Sequence, residues 1–252
     1  TNKKEKKFKY LKELLFGDYL KPLLTADGKY DTVTEGGKEY IKVHARNADG
    51  YILPNEIQKD RILEINFVDI GQGDGCHMVT PQDKQYIIDA GAGDNMFRFL
   101  QWRFNLKTAK KAPPAFTGII SHSDNDHYGG FTKLFTPVPE NAQQLSFDTI
   151  FQNGMIEQSG ATPESLGTII LKGNKKYVSD LTDTDAAFKK IIADPSKKGE
   201  YITMLKKTSA KILSLGRTKI GTPVYMPNTG DLEIEVLGPF RENINGKDAL
   251  QV

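Results

Sequence analysis

From Arg61 the apolar residues come in short runs separated by turn residues. "ILEINFVDI" (62–70) is a β-rich run, "GQGDG" a tight glycine turn, "CHMVT" (76–80) a second strand, "PQDK" a turn and "QYIIDAG" (85–91) a third strand, so the pattern predicts a meander whose loops concentrate Asp and Gly. "NMFRFLQWRF" (95–104) changes the period. Its apolar residues fall at helical spacing, with Asp94 or Asn95 available as N-cap. "PPAFTGIIS" (113–121) predicts a short buried strand, and "YGGFTKLF" (128–135) a short helix. Further on, "FDTIFQNG" (147–154), "KILSLG" (211–216) and "LEIEVLGPF" (232–240) predict strands, and "TDTDAAFKKIIAD" (182–194) a capped helix ended by Pro195.

Residues 1–60 have a different texture. After Lys-rich "KKEKKFKYLKELLF", the alternating runs "KYDTVT" and "EYIKVHA" are split by "ADG", "EGG" and "NADG". Turn signals between alternating runs predict a small antiparallel β module, with an N-terminal extension laid onto the main domain as the alternative. The "DGYI" ending resembles that of a bacterial SH3-like domain. The expected organisation is therefore a module over 1–60 and an α/β domain over 61–252.

Composition narrows the class of protein. The chain has 252 residues, 38% apolar and 26% charged, which suits a folded domain and argues against disorder. No apolar stretch reaches the roughly 18 residues of a membrane span, and the basic start lacks the apolar core of a signal peptide. A cytoplasmic setting is the expectation. The chain begins with Thr1, so a preceding segment stays open. The single Cys76 excludes an internal disulfide framework and a cysteine-based zinc site, and reads as a small buried hydrophobe. A net charge of +2 announces no nucleic-acid partner. The lysines between Leu171 and Lys219 are read as a solvated face, with a phosphate-binding surface as the sharper alternative.

The densest chemistry lies in "ISHSDNDHYGGF" (120–131). Two of the chain's four histidines, His122 and His127, stand there with Asp124 and Asp126. Imidazole and carboxylate together suit zinc, manganese or iron. In an extended His-x-Asp-x-Asp-His loop, alternate residues point to opposite sides, so one loop serves two neighbouring metal positions. Gly129 and Gly130 leave room for close backbone approach and a sharp entry into a helix. His77 lies within a strand and reads as packed or surface-exposed, and His44 belongs to the N-terminal zone.

The ordered run "FVDIGQGDGCHMVT…QYIIDAGAGDN…GIISHSDNDHYGGF" resembles the metallo-β-lactamase fold, and within it the hydrolase domain of ComEC-type competence proteins. Asp124 stands where the superfamily's second motif histidine is commoner, as in that branch. The resemblance implies an αβ/βα sandwich and two divalent ions, zinc first and manganese next. His122 and Asp124 would serve one ion, Asp126 and His127 the other. Asp126 would also orient the nucleophilic water and so be catalytic. Asp89 would support the ligands through hydrogen bonds, with Asp69, Gln72 and Asp74 in the glycine turn structural or substrate-facing. No substrate-binding residue is implied.

The resemblance also implies later ligands, and no histidine follows His127. Asp231 in "TGDLEIEVLGP" imitates a bridging aspartate, but its context resembles the strand that closes the first half of the fold. The expectation is a domain incomplete at its C-terminus, its site completed by a C-terminal remainder or a second chain. The implied activity is phosphodiester hydrolysis, with nucleic acid as partner. The alternatives are hydrolysis of an ester, lactone or thioester, and a metal-poor binding or scaffold member of the fold.

Overall fold

The alternating runs near the N-terminus pair around one central strand. A computed structural model of the chain describes residues 8–11, 13–14, 17–45, 48–109, 112–140, 142–158, 163–216, 222–227, 229–230 and 232–252. The chain divides into two compact units, Thr1–Ile62 and Leu63–Val252. In the first, β3 (Lys38–Ala45) pairs antiparallel with β1 (Lys21–Pro22), β2 (Thr32–Glu35) and β4 (Ala48–Ile52). The β2–β3 hairpin closes at Gly36-Gly37, with Glu35 opposite Lys38. Val43 and Ala45 form the buried side of β3.

The second unit is mixed α/β. Its six-stranded sheet runs, in spatial order, β12 (Lys211–Ser214), β9 (Phe147–Gln152), β8 (Phe116–Ile119), β7 (Gln85–Ala90), β6 (Gly75–Val79) and β5 (Glu64–Phe67). β12, β9, β8 and β7 pair in parallel, whereas β6 and β5 continue antiparallel as the predicted meander. Helices α1 (Asn95–Arg103) and α2 (Asn125–Leu134) form the two parallel crossovers from β7 to β8 and from β8 to β9. Both crossovers pack on one face of the sheet, and β7 and β9 are buried along most of their length.

One face of the sheet carries the main core. Ile87, Phe116, Ile150 and Ile212 meet Met96 and Leu100 of α1, Phe131 and Leu134 of α2, Phe188 of α3 (Asp185–Ala193) and Met204 of α4 (Glu200–Leu205). Thr184 caps α3, its side chain accepting from Ala187 N, and Pro195 follows the helix. The opposite face buries Met78, Tyr86 and Phe151 against Met226 and Val236. These last two belong to a two-stranded crossing in which Met226 N donates to Ile234 O at 2.9 Å and Val236 N to Val224 O at 2.7 Å. The predicted strand over 232–240 is thus a cover held by one bridge, Tyr225 to Glu235, rather than a member of the sheet.

Four strands of the second unit lie outside the sequence pattern. β10 (Ile169–Lys172) and β11 (Lys175–Val178) form a hairpin in the lysine-rich stretch. β11 then pairs with β14 (Lys247–Gln251), which pairs with β13 (Glu242–Ile244), making a second, four-stranded antiparallel sheet. Among the described residues no helix is long and apolar enough to cross a membrane.

Candidate metal centre

The parallel strands β7, β8 and β9 end side by side, and that edge gathers the polar groups. Ligands in open parallel sheets collect at the carboxyl ends of strands. Asp89, one residue before the end of β7, is 4% exposed and has φ +51°. Its carboxylate accepts three hydrogen bonds: Ser121 N to Oδ1 at 2.8 Å, and Ser121 Oγ at 2.6 Å and His127 Nδ1 at 2.8 Å to Oδ2. A buried carboxylate costs several kcal/mol unless donors surround it, as they do here.

These bonds fix the imidazoles. His127 gives its Nδ1 proton to Asp89, so Nε2 keeps its lone pair and faces Asp126, whose Oδ1 lies 3.8 Å away. Ser121 Oγ spends its own proton on Asp89 and lies 3.0 Å from His122 Nδ1. The hydroxyl can then only accept from that nitrogen, which leaves the His122 Nε2 lone pair outward. The two rings lie 3.7 Å apart by centroid. One donor atom each from His122, Asp126 and His127 falls within a group no wider than 4.8 Å, and all three residues are half-buried.

The backbone explains this convergence. The loop was expected to run extended to His127, with a helix from Tyr128. Instead α2 begins at Asn125, with Asp124 as N-cap in extended conformation (φ −79°, ψ 142°), so Asp126 and His127 stand in the first helical turn. Asp124 O accepts from His127 N at 2.9 Å. Two glycine contacts press this turn into place. A Cβ on Gly130 would lie 2.1 Å from Ala90 O, and Gly130 N donates to Gly91 O at 2.7 Å, so only glycine lets α2 sit on the end of β7. In the "GQGDG" turn a Cβ on Gly73 would lie 1.7 Å from Asp126 O, and Gly73 has φ +91°.

The remaining expected site residues fall around this group. The Asp124 carboxylate is 73% exposed, lies 3.4 Å from His122 Nε2 and stands outside the three-residue group. Asp69 shapes the turn, its Oδ1 accepting from Gly71 N at 3.2 Å and its carbonyl from Asn95 Nδ2 at 3.2 Å. Gln72 and Asp74 are exposed on the same turn. His77 is fully buried, with Nε2 2.9 Å from Gln85 Oε1 and its ring among Phe99, Phe104 and Phe116. His44 pairs with Asp49 on the surface of the first unit, 2.7 Å apart. Cys76 is half-buried, and burial pushes its thiol up. Asp231 lies outside the described residues.

Sequence reasoning passed over several neighbours. Ser121 stands beside His122 in the motif itself, but a hydroxyl carries no pattern. Glu157 and Glu200 come from distant segments. Asn125 Nδ2 donates to Glu200 Oε2 at 3.4 Å. The Glu157 carboxyl is raised above its ordinary value by burial and by the charges of Asp124 and Glu200. Negative potential therefore extends from the His122–His127 loop toward α4. Burial likewise raises the Tyr128 and Tyr201 phenols, whose rings meet edge-on at 4.9 Å. Asn153, just after β9, reaches Ser121 O at 3.5 Å.

Two imidazoles of set tautomer and one carboxylate, facing one another in a negative surrounding, form a donor set that suits a divalent cation such as zinc, manganese or iron. No protein-family model, curated protein or solved structure matches the chain.

Proposed function

We propose that Leu63–Val252 is a metal-dependent hydrolase domain of metallo-β-lactamase type, nearest the competence-protein branch, acting on phosphodiesters. The observation that carries this reading is the convergence of His122, Asp126 and His127 at the carboxyl edge of the sheet, with His127 anchored by Asp89. Glycine contacts at Gly73 and Gly130 tie the "GQGDG" turn and the "YGGF" segment to that same point, so three separated motifs serve one locus.

His122 and His127 would hold a divalent ion through their Nε2 atoms, and Asp126 through a carboxylate oxygen. The ion would polarise a phosphoryl oxygen and acidify a water near neutral pH. Asp89 keeps the His127 proton on Nδ1, and Ser121 does the same for His122. The Asp126 carboxylate, 34% exposed, orients the attacking water and accepts its proton. Exposed Lys175 and Lys176 on the β10–β11 hairpin, with Lys190 and Lys206, offer charge to a phosphate backbone, in keeping with a nucleic-acid substrate. A second ion would draw on Asp124, after a swing of that exposed side chain toward the loop. The four-stranded first unit fits an SH3-like accessory module.

A metal-poor scaffold is the second reading, favoured by the outlying Asp124. Metal-loaded protein is assayed against bis(p-nitrophenyl) phosphate and p-nitrophenyl acetate, with Asp126→Ala as control. Phosphodiester turnover that the substitution abolishes supports the proposal. Faster ester turnover moves the substrate class, and inactivity toward both with no bound metal favours the scaffold.

A further inference from the structure

A cavity of about 420 Å³ lies at the other end of α2, away from the metal loop. Phe97, Leu106, Pro137 and Val138 line it, together with Lys107 and Lys133. The volume falls within the range of small-molecule sites, about 300–1,000 Å³. Lys133 is seven residues beyond Asp126 on α2, about 10 Å along the axis.

Charge distinguishes this cavity from a packing defect. No carboxylate lines it among the described residues, while two lysines do. Lys133 Nζ is held over the Phe97 ring, 5.2 Å from its centroid, and so sits against the apolar wall. A third lysine, Lys207, reaches the rim through Thr136 Oγ1 at 3.3 Å. The carbonyl end of α2 would repel an anion if left open, but it is closed: Phe135 N bonds Phe131 O, Thr136 N bonds Lys133 O, and Thr136 Oγ1 bonds Thr132 O. Pro137 and Pro139 stiffen the wall.

We propose that this cavity binds an amphiphilic organic anion, with an apolar body against Phe97, Leu106 and Val138 and one carboxylate between Lys133 and Lys107. The apolar walls supply most of the binding free energy, and the lysines select the anion over a neutral molecule of the same shape. The site is independent of the metal centre.

The test is calorimetric titration of the full chain, in chelator, with 2-naphthoate and with neutral 2-naphthamide. Naphthoate should bind about tenfold more tightly than the amide, the margin expected of a charge-assisted contact. Lys133→Met should remove that margin and leave amide binding unchanged. Ala142→Trp, which fills the cavity, should abolish both isotherms while the melting temperature stays near wild type. Equal affinity for acid and amide, an isotherm unmoved by either substitution, or no binding of naphthoate at all would overturn the proposal.

Discussion

His77 and His127 are both held by a polar partner within the same unit, and the difference between their surroundings separates a packed histidine from one placed to serve as a ligand. His77, in the middle of β6, is fully buried and ringed by Phe99, Phe104 and Phe116, with Nε2 on Gln85. Its Nδ1 lies 3.4 Å from Asn66 Nδ2, so both ring nitrogens face side-chain amides. His127, in the first turn of α2, bonds a buried carboxylate through Nδ1 and turns Nε2 toward Asp126 and His122. An imidazole becomes a ligand when one nitrogen is fixed from behind and the other faces further donors; burial alone gives a core residue.

The sharpest way to break that comparison is to remove the open side of His127. Asp126→Ala should lower the proposed phosphodiesterase activity by about a thousandfold and leave the thermal melt almost unchanged, since the side chain is 34% exposed. A large loss of stability would make Asp126 structural. Asp89→Asn attacks the fixed side instead. The amide cannot accept from His127 Nδ1 and from Ser121 as the carboxylate does, so metal affinity should fall by about 10–100-fold, measured by competition with a chromophoric chelator.

His77→Leu should do the opposite. It leaves Gln85 without its buried partner and should cost about 2–3 kcal/mol in denaturant unfolding, with metal content unchanged. The smallest effect belongs to His44→Gln. Its pair with Asp49 has side chains 48% and 55% exposed, so the expected change is below about 0.5 kcal/mol in the same melts.

The clustering of His122, Asp126 and His127 was legible because imidazole and carboxylate side chains stand in one short, improbable string, and the fold brings those three together. Their arrangement was less so. Gly129 and Gly130 argue against helix by propensity, yet α2 begins before them, because Gly130 allows close packing on Ala90 and that contact outweighs the local cost. The β10–β11 hairpin hid in a lysine-rich stretch because its buried and half-buried residues stand side by side, Ile169 with Ile170 and Tyr177 with Val178, and do not alternate with the lysines. "LEIEVLGPF" carries strand-like residues but covers the sheet face around Met78 and Phe151 instead of joining its edge. Glu157 and Glu200 reach the His122–His127 loop only through the fold, so no local pattern marks them.

Metal content tests the central claim most directly. Protein stripped with chelator, reloaded with zinc or manganese and freed of excess is measured by elemental analysis beside His127→Ala. The account predicts at least one ion per wild-type chain and near-complete loss in the variant, whose metal-free form still unfolds cooperatively, at a lower temperature because Asp89 loses one of its donors. No bound ion in the wild type, or the same content in both, would contradict it.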